Sequence, residues 1–373
     1  STGRGALIGM PQDGFVHVHE PDVPAARTRL IVDVDTGIDD ALALLYLVAS
    51  PEAEIVAALC TAGNVPVDQV TANTLSWLEV CGRPDIEVAA GSQVPLVAPL
   101  MTTEDTHGPQ GIGYAELPAA SRSRSARSAA QAWVDLTREH PGELTGLVTG
   151  PLTNLALALR IDPELPSRLR RLVIMGGCFH HPGNTTPTSE WNVAVDPEAA
   201  KVVFDAFSIA PPDRRPIVCP LDVTESIEMH PEHVARIGDV VGVPRSGELS
   251  PDAPRGTRST ADVPLVRHIS DALRFYMEFH RDQGLGFLAH VHDPFAAAVA
   301  LGTVPYTSRP ATVDVELDGR LTRGTTVADL SGIWQRTPNA DIVAGTRPAE
   351  FFDHFVERVG SYIRDLNLPP SKN

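Results

Sequence analysis

An alternation repeated four times most narrows what this chain can fold into. A short apolar run, RLIVDVD (29–35), is followed by DDALALLYLVAS (39–50), whose apolar residues recur at the helical period. EIVAALC (54–60) precedes PVDQVTANTLSWLEVCG (66–82). ELTGLVTG (143–150) precedes PLTNLALALR (151–160), and RLVIMGG (171–177) precedes DPEAAKVVFDAF (196–207). Val-, Ile- and Leu-rich strands that alternate with helices suit a doubly wound, mostly parallel sheet covered by helices on both faces. Crossovers in such a sheet are right-handed, and ligands bind at the carboxyl ends of its strands. The predicted organisation is one α/β domain over 29–366, a flexible N-terminal extension at 1–28 and a C-terminal tail at 367–373.

Two features interrupt or close the alternation. SGELSPDAPRGTRSTADVP (246–264) is rich in Pro, Ser, Gly and Asp, the composition of an exposed or disordered loop. A helix is predicted over 265–284, and a second is entered through Asp-Pro at HDPFAAAVALG. TVDVEL, a turn at Asp318-Gly319 and TTVADL read as a hairpin, with a closing helix near 347–366.

Composition removes several function classes. The 30 basic and 47 acidic residues give a net charge of −17, a field that repels phosphate backbones, so nucleic acid is not an expected partner. Lys201 and Lys372 are the only lysines, which leaves Schiff-base and Walker-type chemistry almost without candidates. Cys60, Cys81, Cys178 and Cys219 form no CxxC and read as reduced, buried thiols. No run reaches the ~18 apolar residues of a membrane span, and residues 1–28 lack a continuous apolar stretch, so a cytoplasmic protein is expected.

The chemistry concentrates at the end of the first long strand. DVDTGIDD places Asp33, Asp35, Asp39 and Asp40 within eight residues. Carboxylates this close raise one another's pKa unless a cation compensates, and hard oxygen ligands favour Ca²⁺ or Mg²⁺. One or two aspartates before a helix are ordinary caps. Four together, with Gly37 to permit a tight turn, point to a metal site.

Asp33-Val34-Asp35 is similar to the DxD strand end of haloacid dehalogenase-type phosphatases, in which Asp33 would be the nucleophile beside Mg²⁺. The longer string DVDTGIDDALAL (33–44) more closely resembles the N-terminal signature of nucleoside hydrolases of the inosine-uridine type, with Thr36 where proline is usual. TAGN (61–64), HGPQGIG (107–113), VTGPLTNLA (148–156), MGG (175–177), GNTTPTSEWNVAVDPEAA (183–200) and VHDPFAAAVA (291–300) follow in that family's order. The resemblance spans about 29–366. It implies hydrolysis of the N-glycosidic bond of purine or pyrimidine ribonucleosides, and a homodimer or homotetramer. A non-catalytic nucleoside or sugar binder on the same fold is the remaining alternative.

The resemblance also implies roles. Asp35, Asp40, Asp293 and the Thr149 carbonyl would hold Ca²⁺, with Asp35 taking the proton of the metal-bound water and His292, at its near-neutral pKa, protonating the departing base. Asp39, Asn64 and Asn192 would hold ribose hydroxyls, and Asn184 and Glu190 the 5′-hydroxyl. Asp33 would stand behind the ligands and orient the loop. His107 belongs to a segment resembling a mobile flap, with Gln110 where aspartate is common. Met175 and Trp191 would be apolar walls. Tyr276 and His280, four apart on one helix face, would reach the base.

Overall fold

The apolar runs become neighbouring strands of one sheet in a computed structural model that describes residues 16–22, 26–243 and 249–368. In chain order the strands are β1 (His17–His19), β2 (Thr28–Val34), β3 (Ala53–Cys60), β4 (Glu87–Ala90), β5 (Leu144–Val148), β6 (Arg171–Met175) and β7 (Ile217–Cys219). They continue with β8 (Glu228–Met229), β9 (Ala289–His290), β10 (Tyr306–Val315), β11 (Thr326–Asp329) and β12 (Ala340–Thr346). The sheet order is β1-β10-β12-β7-β6-β5-β2-β3-β4, with β11 on β10 and β8-β9 as a separate pair. From β12 to β4 every pairing is parallel, while β10 meets β1, β11 and β12 antiparallel.

Strand order reverses direction between β2 and β5, because β3 and β4 extend one way from β2 while β6 and β7 extend the other. Such a switch point opens a crevice at the strand carboxyl ends, where the chain leaves in opposite directions. Asp35 follows β2 and Thr149 follows β5, so two predicted site residues are carried to this crevice by the topology alone.

Two apolar layers cover the sheet. Leu30, Val32 and Val34 face one layer, with helices Ile38–Ala49, Pro264–Asp282, His292–Leu301 and Pro348–Leu366. Ile31 faces the other, with Ala129–Glu139, Thr153–Ile161 and Pro197–Ala206. Both faces are dry, which is why these strands carry apolar runs rather than alternation.

Two boundaries differ from the sequence expectation. Within 1–28, His17–His19 pairs with His19↔Tyr306 and His17↔Ser308, so this part of the predicted extension is an edge strand of the sheet. Residues 1–15 and 23–25 lie outside the described residues, as do 244–248 and 369–373 of the predicted loop and tail. From Leu249 to Val263 the predicted loop holds no helix or strand, yet it is not free: the Ser259 N–H donates to Asp271 at 2.6 Å and the Gly256 N–H to Glu278 at 3.0 Å. Carboxylates on the following helix supply acceptors that a Pro- and Gly-rich backbone cannot supply itself. The strands β4, β7 and β12 escaped sequence reading because β4 and β7 are only four and three residues long and β12 includes polar residues.

Candidate active site

Strand alternation decides which aspartates can reach a ligand. Val32 and Val34 point to one face of β2, so Asp33 points to the other, where Trp133 Nε1 and Asn154 Nδ2 donate to its two carboxyl oxygens at 2.7 and 3.0 Å. Burial raises the Asp33 carboxyl to about 7, against the pull of those donors. Asp33 is fully buried and does not line the crevice. It cannot serve as a phosphatase nucleophile, and the orienting role beneath the loop is the one its contacts support.

Asp35 lies past the strand end, at the crevice. Its Oδ2 accepts the Asn64 N–H at 2.9 Å, and Asn64 Nδ2 donates to the Asp35 carbonyl and to Asp40 Oδ2, both at 3.3 Å. The helix Ile38–Ala49 begins immediately after, which places Asp39 and Asp40 in its first turn, where the helix dipole favours negative charge. Asp40 Oδ2 also accepts the Gly37 N–H at 3.0 Å, and Asp40 Oδ1 accepts the Thr149 hydroxyl at 2.7 Å. Gly37 has an ordinary negative φ of −96°, so the turn does not require it. Space does: a Cβ there would lie 2.5 Å from Asn64 Nδ2 and 2.6 Å from His107 Nδ1.

Asp293 enters from the far end of the sequence, on the first turn of His292–Leu301. Among the described residues, Asp39, Asp40 and Asp293 bring one carboxylate oxygen each to within 4.8 Å of the others, all three buried. The tightest trio thus includes Asp39, assigned by resemblance to ribose, while Asp35 stands beside it. Burial, then Asp40 and Asp39, holds the Asp35 carboxyl well above its usual range; burial, then Asp39, Asp40 and Asp35, does the same to Asp293. Asp39 is raised to about 7 by burial and Asp40. Among the described residues no lysine or arginine lines the crevice to offset them. An all-oxygen, buried, uncompensated set fits a hard divalent cation.

Around this floor is a cavity of about 480 Å³, within the size range of small-molecule sites. Asp35, Asp39, Asn64, His107, Thr149, Met175, Asn184, Glu190, Trp191, Asn192, Tyr276, His280, His292 and Asp293 all line it; Asp40, of the predicted set, lies beneath. Asn192 Nδ2 donates to the carbonyls of Thr149 (2.7 Å) and Met175 (3.1 Å), which orients its amide oxygen away from them. Asn184 Oδ1 accepts the Trp191 N–H at 2.9 Å. Glu190 caps the helix Trp191–Val195 and also accepts from Gly177, so three backbone N–H groups (Gly177, Asn192 and Val193) occupy its carboxylate. Its first role is therefore to hold the crevice wall.

The histidines differ from expectation. His292 Nδ1 lies 2.8 Å from the Thr224 hydroxyl, and burial, then His290 and His280, holds the imidazole well below its ordinary pKa. The expected near-neutral value is not met; the ring is a neutral hydrogen-bonding group. His107 Nδ1 accepts the Ile38 N–H at 3.1 Å, which fixes the proton on Nε2, and burial lowers its pKa to about 3. His280 Nδ1 donates to the Tyr276 carbonyl at 2.8 Å, leaving Nε2 as a lone-pair acceptor, and burial lowers it to about 4. Ring centroids run His107–Tyr276 (5.4 Å), Tyr276–His280 (4.4 Å), His280–His290 (4.9 Å) and His290–His292 (5.9 Å).

His290, His181 and Glu225 line the same cavity and were missed from sequence. Among the described residues His290 Nδ1 is buried without a hydrogen-bond partner, and His181 Nε2 lies 3.5 Å from Glu225. The i,i+2 spacing in HVHD was the available signal for His290; nothing local marks the other two.

Comparison with known proteins agrees with the geometry. Residues 30–353 match the family model described as inosine-uridine preferring nucleoside hydrolase. A pyrimidine-specific ribonucleoside hydrolase RihA from Salmonella schwarzengrund (strain CVM19633) is 34% identical over 334 residues, covering 89% of this chain and 98% of the relative. A purine-preferring ribonucleoside hydrolase from Gardnerella vaginalis superposes with TM-score 0.79 at 27% identity, covering 91% and 100% of the two chains. A plant nucleoside hydrolase, PpNRh1, gives 0.78 at 26%, covering 90% and 99%. Among the described residues no helix is long and apolar enough to cross a membrane. With the acidic loop, the crevice at the switch point and this likeness over nearly the whole chain in agreement, the protein belongs to the inosine-uridine preferring nucleoside hydrolases, which are N-glycosyl hydrolases.

Proposed function

We propose that the chain is a Ca²⁺-dependent hydrolase of ribonucleosides, with pyrimidine nucleosides as its first substrates. The observation that carries the reading is the buried group of Asp39, Asp40 and Asp293 at the cavity floor, with no lysine or arginine among the described residues lining the cavity. The pyrimidine preference is supported by the pyrimidine-specific relative, 34% identical over 89% of this chain.

Asp35, Asp40, Asp293 and the Thr149 carbonyl would hold the cation, and the carboxyl of Asp39 borders the same group. When bound, a divalent cation offsets the crowded carboxylates and gathers oxygen ligands, for which a shell of six to eight oxygens suits calcium. With that charge present Asp35 is ionised and accepts a proton from water as the water attacks the anomeric carbon. The bond to the base nitrogen breaks on the opposite face, so the configuration inverts. With Thr224 as donor to His292 Nδ1, the neutral ring offers its Nε2–H to the departing base as a hydrogen bond, and the base takes its proton from solvent. Asp39, Asn64 and Asn192 accept or donate at ribose hydroxyls, and Asn184 lies toward the 5′ end. A 2′-deoxy substrate leaves such buried groups unpaired and reacts more slowly, by ~10⁴ at the full penalty.

Release of reducing sugar from uridine, cytidine, inosine, adenosine and 2′-deoxyuridine tests this directly. Ribose from the ribonucleosides, fastest from uridine or cytidine and much slower from the deoxy compound, is expected. No sugar from any of them contradicts it.

A further inference from the structure

The helix Pro264–Asp282 carries Tyr276 and His280 on the face that lines the cavity. Glu278 stands 200° of helical rotation from Tyr276, on the opposite face, and with Arg274 it is almost completely buried. Arg274 Nη1 donates to Glu278 Oε1 at 3.3 Å, and Arg274 Nη2 reaches the Ser250 carbonyl at 3.3 Å. Glu278 Oε1 also accepts the Gly256 N–H at 3.0 Å, and Glu278 Oε2 accepts the Tyr114 hydroxyl at 2.7 Å. Arg258 lies over the Tyr114 ring at 4.2 Å from its centroid. One carboxylate therefore joins three parts of the chain: the helix, the segment 249–262, and the loop that carries His107 through Tyr114.

That loop also touches the helix directly. Gly113 has φ +58°, and a Cβ there would lie 2.7 Å from the Ala272 carbonyl and 2.8 Å from Phe275 Cβ. The loop and the helix consequently share one fixed separation, and the two cavity faces they present, His107 and Tyr276, stand 5.4 Å apart at their ring centroids.

We propose that Glu278 and Tyr114 are positioning residues: with the segment 249–262 they clamp the outer face of the helix so that Tyr276 and His280 sit at the nucleoside base. The proposal rests on the nucleoside-hydrolase reading of the cavity. It assigns a role to a stretch whose composition suggests only an exposed loop. The clamp acts on the wall of the cavity and not on the aspartate floor, because the hydrogen bonds and ion pairs of Glu278 and Tyr114 run to Arg274, Gly256, Arg255 and each other rather than to Asp35, Asp39, Asp40 or Asp293. A loosened wall should impair substrates that need their base held and spare one whose leaving group departs unaided.

The test uses the full chain with added calcium, the ribonucleoside that the unsubstituted protein cleaves fastest, and 4-nitrophenyl β-D-ribofuranoside. Tyr114→Phe removes a single hydroxyl and keeps the buried ion pair. Its kcat/KM for the nucleoside should fall about tenfold, as expected for loss of one hydrogen bond to a charged group, mainly through KM. Its rate on the nitrophenyl riboside should stay within about twofold of the unsubstituted protein, a difference too small to reflect loss of such a bond. Glu278→Gln leaves Arg274 buried without its countercharge and should widen the gap between the two substrates further. Parallel loss on both substrates, or no loss on either, overturns the clamp. If the unsubstituted protein cleaves neither substrate, the functional reading fails and the proposal goes with it.

Discussion

The floor of the cavity and its wall are built by different physics. The floor hangs from the ends of β2 and β5, strands buried on both faces, and its acidic groups are tied to backbone N–H groups of Gly37 and Asn64 and to the Thr149 hydroxyl. The wall comes from the helix Pro264–Asp282, the pair β8-β9 and loops near His181 and Glu225, none of which belongs to the main sheet. Strand ends at a switch point give fixed placement to residues that must meet a cation. A helix held by a side-chain clamp offers a surface that can differ between relatives without disturbing that floor, and relatives described as pyrimidine-specific and purine-preferring share the fold.

Substitutions can separate floor from wall. The largest effect is expected at Asp35→Asn, where loss of the base should lower kcat by about 10³–10⁴ with a smaller change in KM. Steady-state ribose release checks it, and a loss below about tenfold would remove Asp35 from that role. Asp293→Ala should weaken calcium binding by about 100-fold or more, a loss at least as large as those seen when a ligand's supporting contacts are removed. A variant with unchanged affinity would mean that Asp293 is not a ligand.

Protonation gives a third contrast. Asp33 and Asp39 titrate at about 7 in the folded protein without metal, above the ordinary 3.8. Between those values the folded state binds more protons than the unfolded one, so stability falls as pH rises through that window. His107, His280 and His292, held below their ordinary 6.5 in the folded state, work in the opposite direction up to that pH, so the carboxyl contribution stands clear above it. Thermal melting of the metal-stripped protein should drop from about pH 6.5 to pH 8, and calcium should restore much of that loss. A melting temperature that rises across this window would show these carboxyls to be ionised without help.

At the wall the effects are smaller. His280→Gln replaces a lone-pair acceptor by an amide that also donates, and should shift the uridine-to-cytidine ratio of kcat/KM by about tenfold while activity on the nitrophenyl riboside holds. Equal changes for both bases would place His280 away from the base. Smallest in activity is Trp133→Phe, which removes the indole donor to Asp33. It should lower stability by about 1–3 kcal/mol in denaturant titration and leave kcat within about twofold.

The same division explains what could be read from the chain. Asp33, Asp35, Asp39 and Asp40 lie within eight residues, at the end of an apolar run and the start of a helix, so their clustering is a local fact that the fold preserves. The Asp33 orientation follows from strand alternation alone. Thr149, Asn192 and Asp293 were found through motifs in order, not through local physics. His290, His181 and Glu225 meet only after β8 and β9, two residues each, bring distant loops together, and no period or run marks such short pairings. Residues 249–262 looked unstructured because their own composition offers no partner, while the acceptors they use, Asp271 and Glu278, lie on the next helix.

Calcium titrated by calorimetry into the metal-stripped protein tests the central claim most directly. One tight site per chain that is lost in Asp293→Ala, with ribose release from uridine returning in step with its filling, is the predicted result. Full ribose release from a protein shown to be free of bound metal would contradict it.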